Sequence, residues 1–434
     1  MVPADSLGID FGTTNTVVAL AGAQGPARLV RFAAPAQRDL FAFRSALAFQ
    51  APPERPGERD ITAGPWAIEA YAEAPADTRF LQSFKTFAAQ ASFTETQILN
   101  RRYRFEDLLS TFLLKLRDYA GAGMADLPRR VIVGRPVTFA GASSDPALAL
   151  ARYDQAFHRL GFEEVRYVYE PVGAAFFFAR ELEKDATVLV GDFGGGTSDF
   201  SIIRFARQDC RMQATPLGRS GVGVAGDAFD YRIIDQLVSP ALGKGSAYTS
   251  FGKVLPVPRR YYSAFARWDQ LALLKTSRDM RDIRKLVRQA QEPEKIERLI
   301  EMIDDDYGYQ LYRAVSTLKE ALSSQDAAEF RFEVGDIAIA RAVERAAFEG
   351  WIAPELALIE GAVDAALADA GLAPREIDRV FLTGGSSLVP AVRAIFHRRF
   401  ADERIETGAE LESIASGLAL IGREADLDRW TARA

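Results

Sequence analysis

The chain has 434 residues, 48% hydrophobic and 26% charged, a composition that argues against disorder and leaves room for roughly two to four domains. A net charge of −6 gives no reason to expect nucleic acid or an anionic membrane as partner, and a single cysteine, Cys210, excludes an internal disulfide framework and fits a reducing compartment. Met1 to Ser6 shows no basic region followed by an apolar run, and the nearest apolar stretch, Pro171 to Ala179, is shorter than the roughly 20 residues of a membrane helix, so a soluble cytoplasmic protein is expected.

In chain order, the first clear element is Leu7 to Val18: an apolar strand, Asp10, a Gly/Thr turn and a β-branched strand. Ala51 to Arg59, with three prolines, is the most linker-like stretch. Val131 to Gly134 reads as a short buried strand, followed by helical patterns over Ala147 to Leu160 and from Pro171 through Lys184. Val188 to Ile203 then repeats the opening plan of strand, Asp, Phe, Gly, Thr, strand. A repeat roughly 180 residues apart is too long for a solenoid and suits a duplicated α/β domain.

Gly221-Val222-Gly223-Val224-Ala225-Gly226 matches a dinucleotide fingerprint literally and precedes a helical run, Asp227 to Val238, but no convincing parallel strand follows. It therefore reads as a Gly-rich loop near a nucleotide. Gly252 to Tyr312 is rich in Arg, Lys, Tyr and Glu and amphipathic, with Ile296, Leu299, Ile300 and Ile303 on one helix face. The stripe Arg259-Arg260-Tyr261-Tyr262 could touch RNA, but interleaved acids favour a solvated face with its aromatics turned inward. Val380 to Thr383 is a strand running into Gly384-Gly385-Ser386-Ser387, and a helix follows from about Pro390 to Phe400. The alternation predicts a mixed sheet with flanking helices in each half.

The chemistry concentrates in the two hairpins. Glycine admits the backbone conformations that let successive N–H groups curl around a phosphate oxygen, so Gly12-Thr13-Thr14 and Gly194-Gly195-Gly196-Thr197 each offer a cradle. Asp10 and Asp192 precede them at the same offset, and carboxylates facing one polyphosphate from two sides would hold a hydrated Mg²⁺. Either hairpin alone is an ordinary Asp/Gly turn; the pair is not. No G-x-x-x-x-G-K-[ST] loop occurs. The two histidines, His158 and His397, belong to no cluster of metal ligands or catalytic triad, so the chemistry rests on carboxylates, lysine, threonine and backbone amides.

Five motifs together resemble the actin-like ATPase superfamily, which covers heat-shock chaperones, actins and sugar kinases. They are the hairpin at Gly8 to Thr16, a connecting helix at Tyr169 to Ala175, the hairpin at Asp192 to Asp199, an adenosine loop at Gly384 to Ser387 and a second connecting helix at Ile414 to Leu420. Glu170-Pro171-Val172-Gly173-Ala174-Ala175 and Gly194-Gly195-Gly196-Thr197-Ser198-Asp199 are similar to the seventy-kilodalton heat-shock (DnaK-like) branch. Val133-Gly134-Arg135-Pro136-Val137, Glu292-Pro293-Glu294-Lys295 and Lys319 to Ser324 resemble its YegD-type bacterial members, which lack the peptide-binding half. The chain stops at Asp428 to Ala434 without an apolar linker, so no such half is expected.

The resemblance implies a two-lobed α/β fold of duplicated ribonuclease-H-like domains with two peripheral subdomains. Lobe I would be 1–185, with core 1–32 and 105–185 and peripheral subdomain 33–104. Lobe II would be 186–434, with core 186–225 and 338–434 and a peripheral subdomain, 226–337, that carries an insertion. It implies ATP or ADP with Mg²⁺ as ligands, the ion organised through water by Asp10 and Asp192. Gly12, Thr13, Thr14, Asn15, Gly194, Gly195, Gly196 and Thr197 would meet the phosphates, and Lys85 and Glu170 would serve as catalytic cation and water-orienting carboxylate. Thr197, Asp10 and Asp192 would join them in catalysis. Gly226, Asp227, Lys319, Gly384, Gly385, Ser386 and Leu388 would complete the nucleotide site.

Glu320 and Leu388 stand where the family places two arginines against adenine, which weakens cation stacking, although a leucine still packs on a base. Small residues at Gly173, Ala174, Ala175, Ser416 and Gly417 would let the connecting helices cross as a hinge. The expected activity is slow ATP hydrolysis by a chaperone-like monomer that signals to a client or co-chaperone. A small-molecule kinase and a non-hydrolysing scaffold are the alternatives.

Overall fold

A computed structural model of the chain describes residues 6–35, 38–52, 58–141, 143–179, 182, 184–208, 211–266, 274–275, 277–408, 412–424 and 426–431. Cys210, residues 1–5 of the leader reading and the centre of the proline-rich Ala51–Arg59 stretch lie outside the described residues. The chain forms two compact units. One comprises Met1–Ala225, Leu358–Leu388 and Val392–Ala434, the other Gly226–Ala357 with Val389–Ala391.

The first unit contains two sheets of one plan. In the first, β1 (Ser6–Phe11) pairs antiparallel with β2 (Asn15–Ala21), which also carries the short β3 (Arg28–Leu29) and β4 (Ala42–Arg44). On the other side of β1 lie β5 (Arg130–Arg135) and β6 (Glu164–Tyr169), both parallel. The order is β6-β5-β1-β2-β3. In the second sheet, β7 (Ala186–Phe193), β8 (Ser198–Gln208) and β9 (Arg211–Val222) form an antiparallel meander. The strands β10 (Arg379–Thr383) and β11 (Ile405–Thr407) continue from β7 in parallel. The order β9-β8-β7-β10-β11 reproduces the first sheet around an equivalent central strand. Both β1 and β7 are covered on both faces, which is why each reads as an almost unbroken apolar run rather than an alternating one.

Helices cover the sheets through apolar stripes. The first, α1 (Phe105–Ala120), buries Phe105, Leu108, Leu109, Phe112, Leu113 and Leu116, the i, i+3, i+4 spacing of one helix face. In α2 (Pro146–Arg159), Asp145 caps the start by accepting the Leu148 amide at 3.0 Å. The connecting helices are α3 (Glu170–Phe178) and α4 (Ser413–Ile421). The helix expected from Pro171 through Lys184 thus gives out early. The Ala179 amide closes it on the Ala175 carbonyl, because the chain must be extended again by Ala186 to pair with Phe205; residues 180, 181 and 183 are outside the description. The helix expected from Pro390 to Phe400 likewise ends at His397, where the Arg399 and Phe400 amides both tighten onto the Phe396 carbonyl.

The small residues of α3 and α4 do what their size permits. A Cβ on Gly417 would stand 1.7 Å from the Gly173 carbonyl oxygen, and one on Gly173 would stand 3.0 Å from that of Ile414. The two backbones touch, and no side chain fits between them.

In the second unit, Gly226–Ile233 opens a helix that passes into a wider turn at Ile234–Val238. The helix Pro293–Asp304 buries Ile296, Leu299, Met302 and Ile303, with Ile300 half-buried beside them. Tyr261 and Tyr262 are buried while Arg259 and Arg260 face out, and the Tyr262 hydroxyl donates to the Leu242 carbonyl at 2.9 Å. The aromatics of that basic stripe are core residues, with no ring face free for a base. Among the described residues no helix is long and apolar enough to cross a membrane.

The helix crossing sets a test of sign. Gly417→Ala should destabilise the chain by about 3 kcal/mol in urea denaturation, because backbone rather than a flexible side chain occupies the space. Gly361→Ala, within the helix Ala353–Ala370 and with nothing within 4 Å of where the added methyl would sit, should instead stabilise it by about 0.5–1 kcal/mol.

Candidate functional site

The two turns close identically. The Gly12 amide donates to the Asn15 carbonyl at 3.0 Å, and the Gly194 amide donates to the Thr197 carbonyl at 3.0 Å. At Gly12 a Cβ would lie 2.4 Å from that Asn15 oxygen, so only glycine closes the turn this tightly. Ser45 braces the first turn, its hydroxyl donating to the Gly12 carbonyl at 2.7 Å and its amide to that of Thr14 at 2.9 Å. Ser198 braces the second by donating to the Val224 carbonyl at 2.7 Å. Thr13, Thr14, Asn15, Gly195, Gly196 and Thr197 stay partly accessible around the two cradles. The turns approach one another, since a Cβ on Gly196 would be 3.9 Å from the Thr13 hydroxyl.

Beneath them lies a buried ion pair. Lys85 Nζ donates to Glu170 Oε1 at 2.7 Å, and both residues are less than a tenth exposed. Lys85 rides on a single tight turn, Phe84–Phe87, anchored by Phe84 against Phe11, Phe105 and Phe112. The loop after it is pinned by Arg152, whose Nη1 donates to the Phe87 and Ala88 carbonyls at 2.9 Å and to Gln90 at 3.2 Å, and whose Nη2 donates to Phe93 at 2.6 Å. Glu170 is the first residue of α3, ahead of Pro171, where a proline's missing N–H costs nothing.

Around this pair stand three further carboxylates. Burial, then the charge of Glu170, pushes Asp10 up to about 7 against the pull of Lys85. Asp192 lies well above its ordinary range through burial and the charges of Glu170, Asp10 and Asp199. Asp199 is raised to about 7 by burial and Glu170, although the Thr197 hydroxyl and the backbone amides of Thr138 and Val137 favour its charged form. Those two amides donate to Asp199 Oδ1 at 3.0 and 2.8 Å. Burial works to lower Lys85, but Glu170, Tyr153 and Asp10 outweigh it and hold the ammonium charged. Four acids against one lysine leave an excess of negative charge that a divalent cation would offset, and hard, oxygen-only donors suit Mg²⁺. Among the described residues no three His, Cys, Asp or Glu side chains form a direct metal cage.

Beside the second hairpin, Gly384 turns the chain out of β10 with φ +83°, and a Cβ there would meet the Phe193 carbonyl oxygen at 2.2 Å. The Ser387 hydroxyl and amide both donate back to the Gly384 carbonyl, at 2.7 and 3.0 Å. Ser386 is buried, Gly385 is open, and Leu388 is 42% exposed at the end of the loop. In the second unit, Gly226 and Asp227 start their helix and Lys319 pairs with Asp230 at 2.7 Å. Burial lowers the Lys319 ammonium, but the Asp230 carboxylate raises it further. Glu320 faces solvent.

Compared with known families, residues 78–245 and 280–424, well over half the chain, match the family described as Hsp70 protein. The chain belongs to the Hsp70 family. The matched segments carry Lys85, Glu170, Asp192 to Thr197 and Gly384 to Leu388, while the first hairpin precedes them and joins the site through the geometry above. Among curated proteins, the chain is 24% identical over 428 residues to "Chaperone protein DnaK" of Thermus thermophilus, covering 96% of this chain and 60% of that protein. It is 25% identical over 419 residues to "Chaperone protein DnaK" of Thermotoga petrophila, covering 95% and 58%. The chain thus spans about three fifths of the length of these relatives. The fold is the α/β, actin-like ATPase fold of the Hsp70 family.

Several residues of this Hsp70-family site escape sequence reasoning. Asp199 had a signal: a hairpin turning at Gly194–Thr197 places it directly opposite Asp192. Arg152 and Tyr153 on α2 had none, because nothing local ties that helix to a loop some 60 residues earlier.

The raised carboxylates dictate how stability depends on pH. An acid whose folded-state value lies above its unfolded 3.8 is stabilising when protonated, so the ligand-free chain should lose stability as pH rises from about 4 through about 7. Asp10→Asn should therefore melt higher than wild type, by a few degrees at pH 8 and by much less at pH 4.5, in scans by circular dichroism.

Proposed function

We propose that this Hsp70-family chain binds Mg·ATP between its paired hairpins, hydrolyses it slowly and reports the nucleotide state to a protein partner. The observation that carries the reading is the buried Lys85–Glu170 pair set beneath two identically closed Gly/Thr turns, each preceded by an aspartate. The backbone amides of Gly12 to Asn15 and Gly194 to Thr197 would cradle the phosphates, with the hydroxyls of Thr13, Thr14 and Thr197 as further donors. Asp10 and Asp192 would hold Mg²⁺ through water, since that ion keeps several waters and needs few protein ligands. When bound, the ion would neutralise phosphate charge and restore both carboxylates to their ionised forms.

Lys85 would stabilise charge developing on the transferred phosphoryl group, and Glu170, oriented by that same lysine, would present its other oxygen to the attacking water. Gly384, Gly385, Ser386 and Leu388 would line the adenosine side. Gly226, Asp227 and Lys319 are proposed to take part in nucleotide binding, the lysine keeping two N–H donors beyond its bond to Asp230. The proposed division is lobe I over 1–185, with core 1–32 and 105–185, and lobe II over 186–434, with core 186–225 and 338–434. The peripheral subdomains would be 33–104 and 226–337. Closure of the lobes about the α3–α4 crossing would change the surface offered to a client or co-chaperone. The chain is proposed to be a cytoplasmic monomer, the single cysteine fitting a reducing compartment.

Single-turnover hydrolysis of γ-labelled ATP with Mg²⁺ tests the reading. Wild type should release phosphate, and Lys85→Ala should slow release about 10²–10³-fold, the loss expected of one electrostatic donor. Release by the variant at the wild-type rate would remove Lys85 from catalysis. Bound ATP with no release from either protein would make the chain a nucleotide-binding scaffold.

A further inference from the structure

The second unit carries a two-stranded finger. Ala247–Ser250 pairs antiparallel with Lys253–Pro256, and the Val257 amide continues the ladder to the Ser246 carbonyl at 2.9 Å. One side of the finger is anchored, where the Thr249 amide donates to the Gln289 carbonyl at 2.8 Å and the Gln291 amide to the Ala247 carbonyl at 2.9 Å. The strand Lys253–Pro256 is an edge with all four residues exposed.

The turn at the tip has Phe251 at φ +47° and Gly252 at φ +74°. Positive φ at both central residues is the type I′ geometry of a tight hairpin, whose first position Asn, Asp or Gly takes with least strain. A phenylalanine there is strained, and packing does not offset the strain, because Phe251 is fully exposed. Val254 and Leu255, neighbours on one strand and so on opposite faces of the finger, are exposed as well. The finger thus shows apolar groups at its tip and on both faces.

Positive charge gathers at the same place. Ala247 to Gln291 holds ten Lys and Arg against three Asp, in a chain whose net charge of −6 hides the cluster. Asp279 and Asp282 already pair with Arg260 and Lys285, at 3.2 and 3.7 Å. Lys253 beside the tip, Arg259 just past the hairpin and Arg288 next to the anchoring Gln289 are exposed and, among the described residues, pair with no acid.

We propose that this finger docks on an anionic lipid bilayer, with Phe251, Val254 and Leu255 entering the interface and Lys253, Arg259 and Arg288 meeting the headgroups. A protein surface laid against the finger would cover one face and leave the other wet. A bilayer surrounds an inserted finger on all sides, which is what apolar residues on both faces call for. An anionic leaflet attracts each nearby Lys or Arg, and their long stems let the charges stay at headgroup depth while the tip goes deeper. Such attachment is peripheral and needs no spanning helix.

The test is flotation of the full chain with phosphatidylcholine vesicles, with or without about one part in four of phosphatidylglycerol. Wild type should float with the anionic vesicles alone, and added salt should release it. Phe251→Asn suits the left-handed turn and removes no packing, so it should melt at or above the wild-type temperature yet bind about tenfold more weakly. Phe251→Leu, still apolar, should fall between. Lys253→Gln and Arg259→Gln should each weaken binding about fivefold. No flotation of wild type, equal flotation with both kinds of vesicle, or wild-type binding by Phe251→Asn would overturn the proposal. Capture of polyglutamate or single-stranded DNA in place of vesicles would overturn it too, and assign the finger to an acidic protein or a nucleic acid.

Discussion

The ion pair between Lys85 and Glu170 is the constraint to which the rest of the first unit answers. Two opposite charges taken out of water repay their desolvation only when geometry is good and the remaining polar atoms are served. Here the pair closes at 2.7 Å across 85 residues of chain, so both carriers must be held rigidly. The aromatic cluster of Phe11, Phe84, Phe105 and Phe112 fixes one side. The first turn of α3 fixes the other, and Arg152 ties down the loop after the lysine with four hydrogen bonds to backbone carbonyls.

The same demand explains the surrounding acids. Burial, and after it the charge of Glu170, raises Asp10, Asp192 and Asp199, and Lys85 cannot neutralise all four acids. Left alone, such a cluster favours partial protonation and opposes its own folding near neutral pH. In the proposed Mg·ATP complex, the cation would satisfy the carboxylates while the turns' amides would satisfy the phosphate.

Duplication supplies the two-sided geometry. Each sheet places its aspartate at the end of its central strand and its Gly/Thr turn just beyond, and the backbone contact of Gly173 with Gly417 lets α3 and α4 lie against both sheets. Membership of the Hsp70 family accounts for this plan.

Much of this was legible in the residues because the signals are local. A hairpin that needs glycine at its tightest point, or a connecting helix whose small residues recur on one face, is written within a dozen positions, so both turns, both aspartates and both helices were found in place. Helix ends were less legible, as at Phe178, where the start of β7 decides how far α3 can run. What tertiary structure alone decided are the pairings across long separations: Lys85 with Glu170, Asp199 with the amides of Val137 and Thr138, and Arg152 with its four carbonyls. Backbone periodicity and turn chemistry act over one or two helical turns, whereas the burial and charge that give these side chains their character arise only when distant segments share one interior.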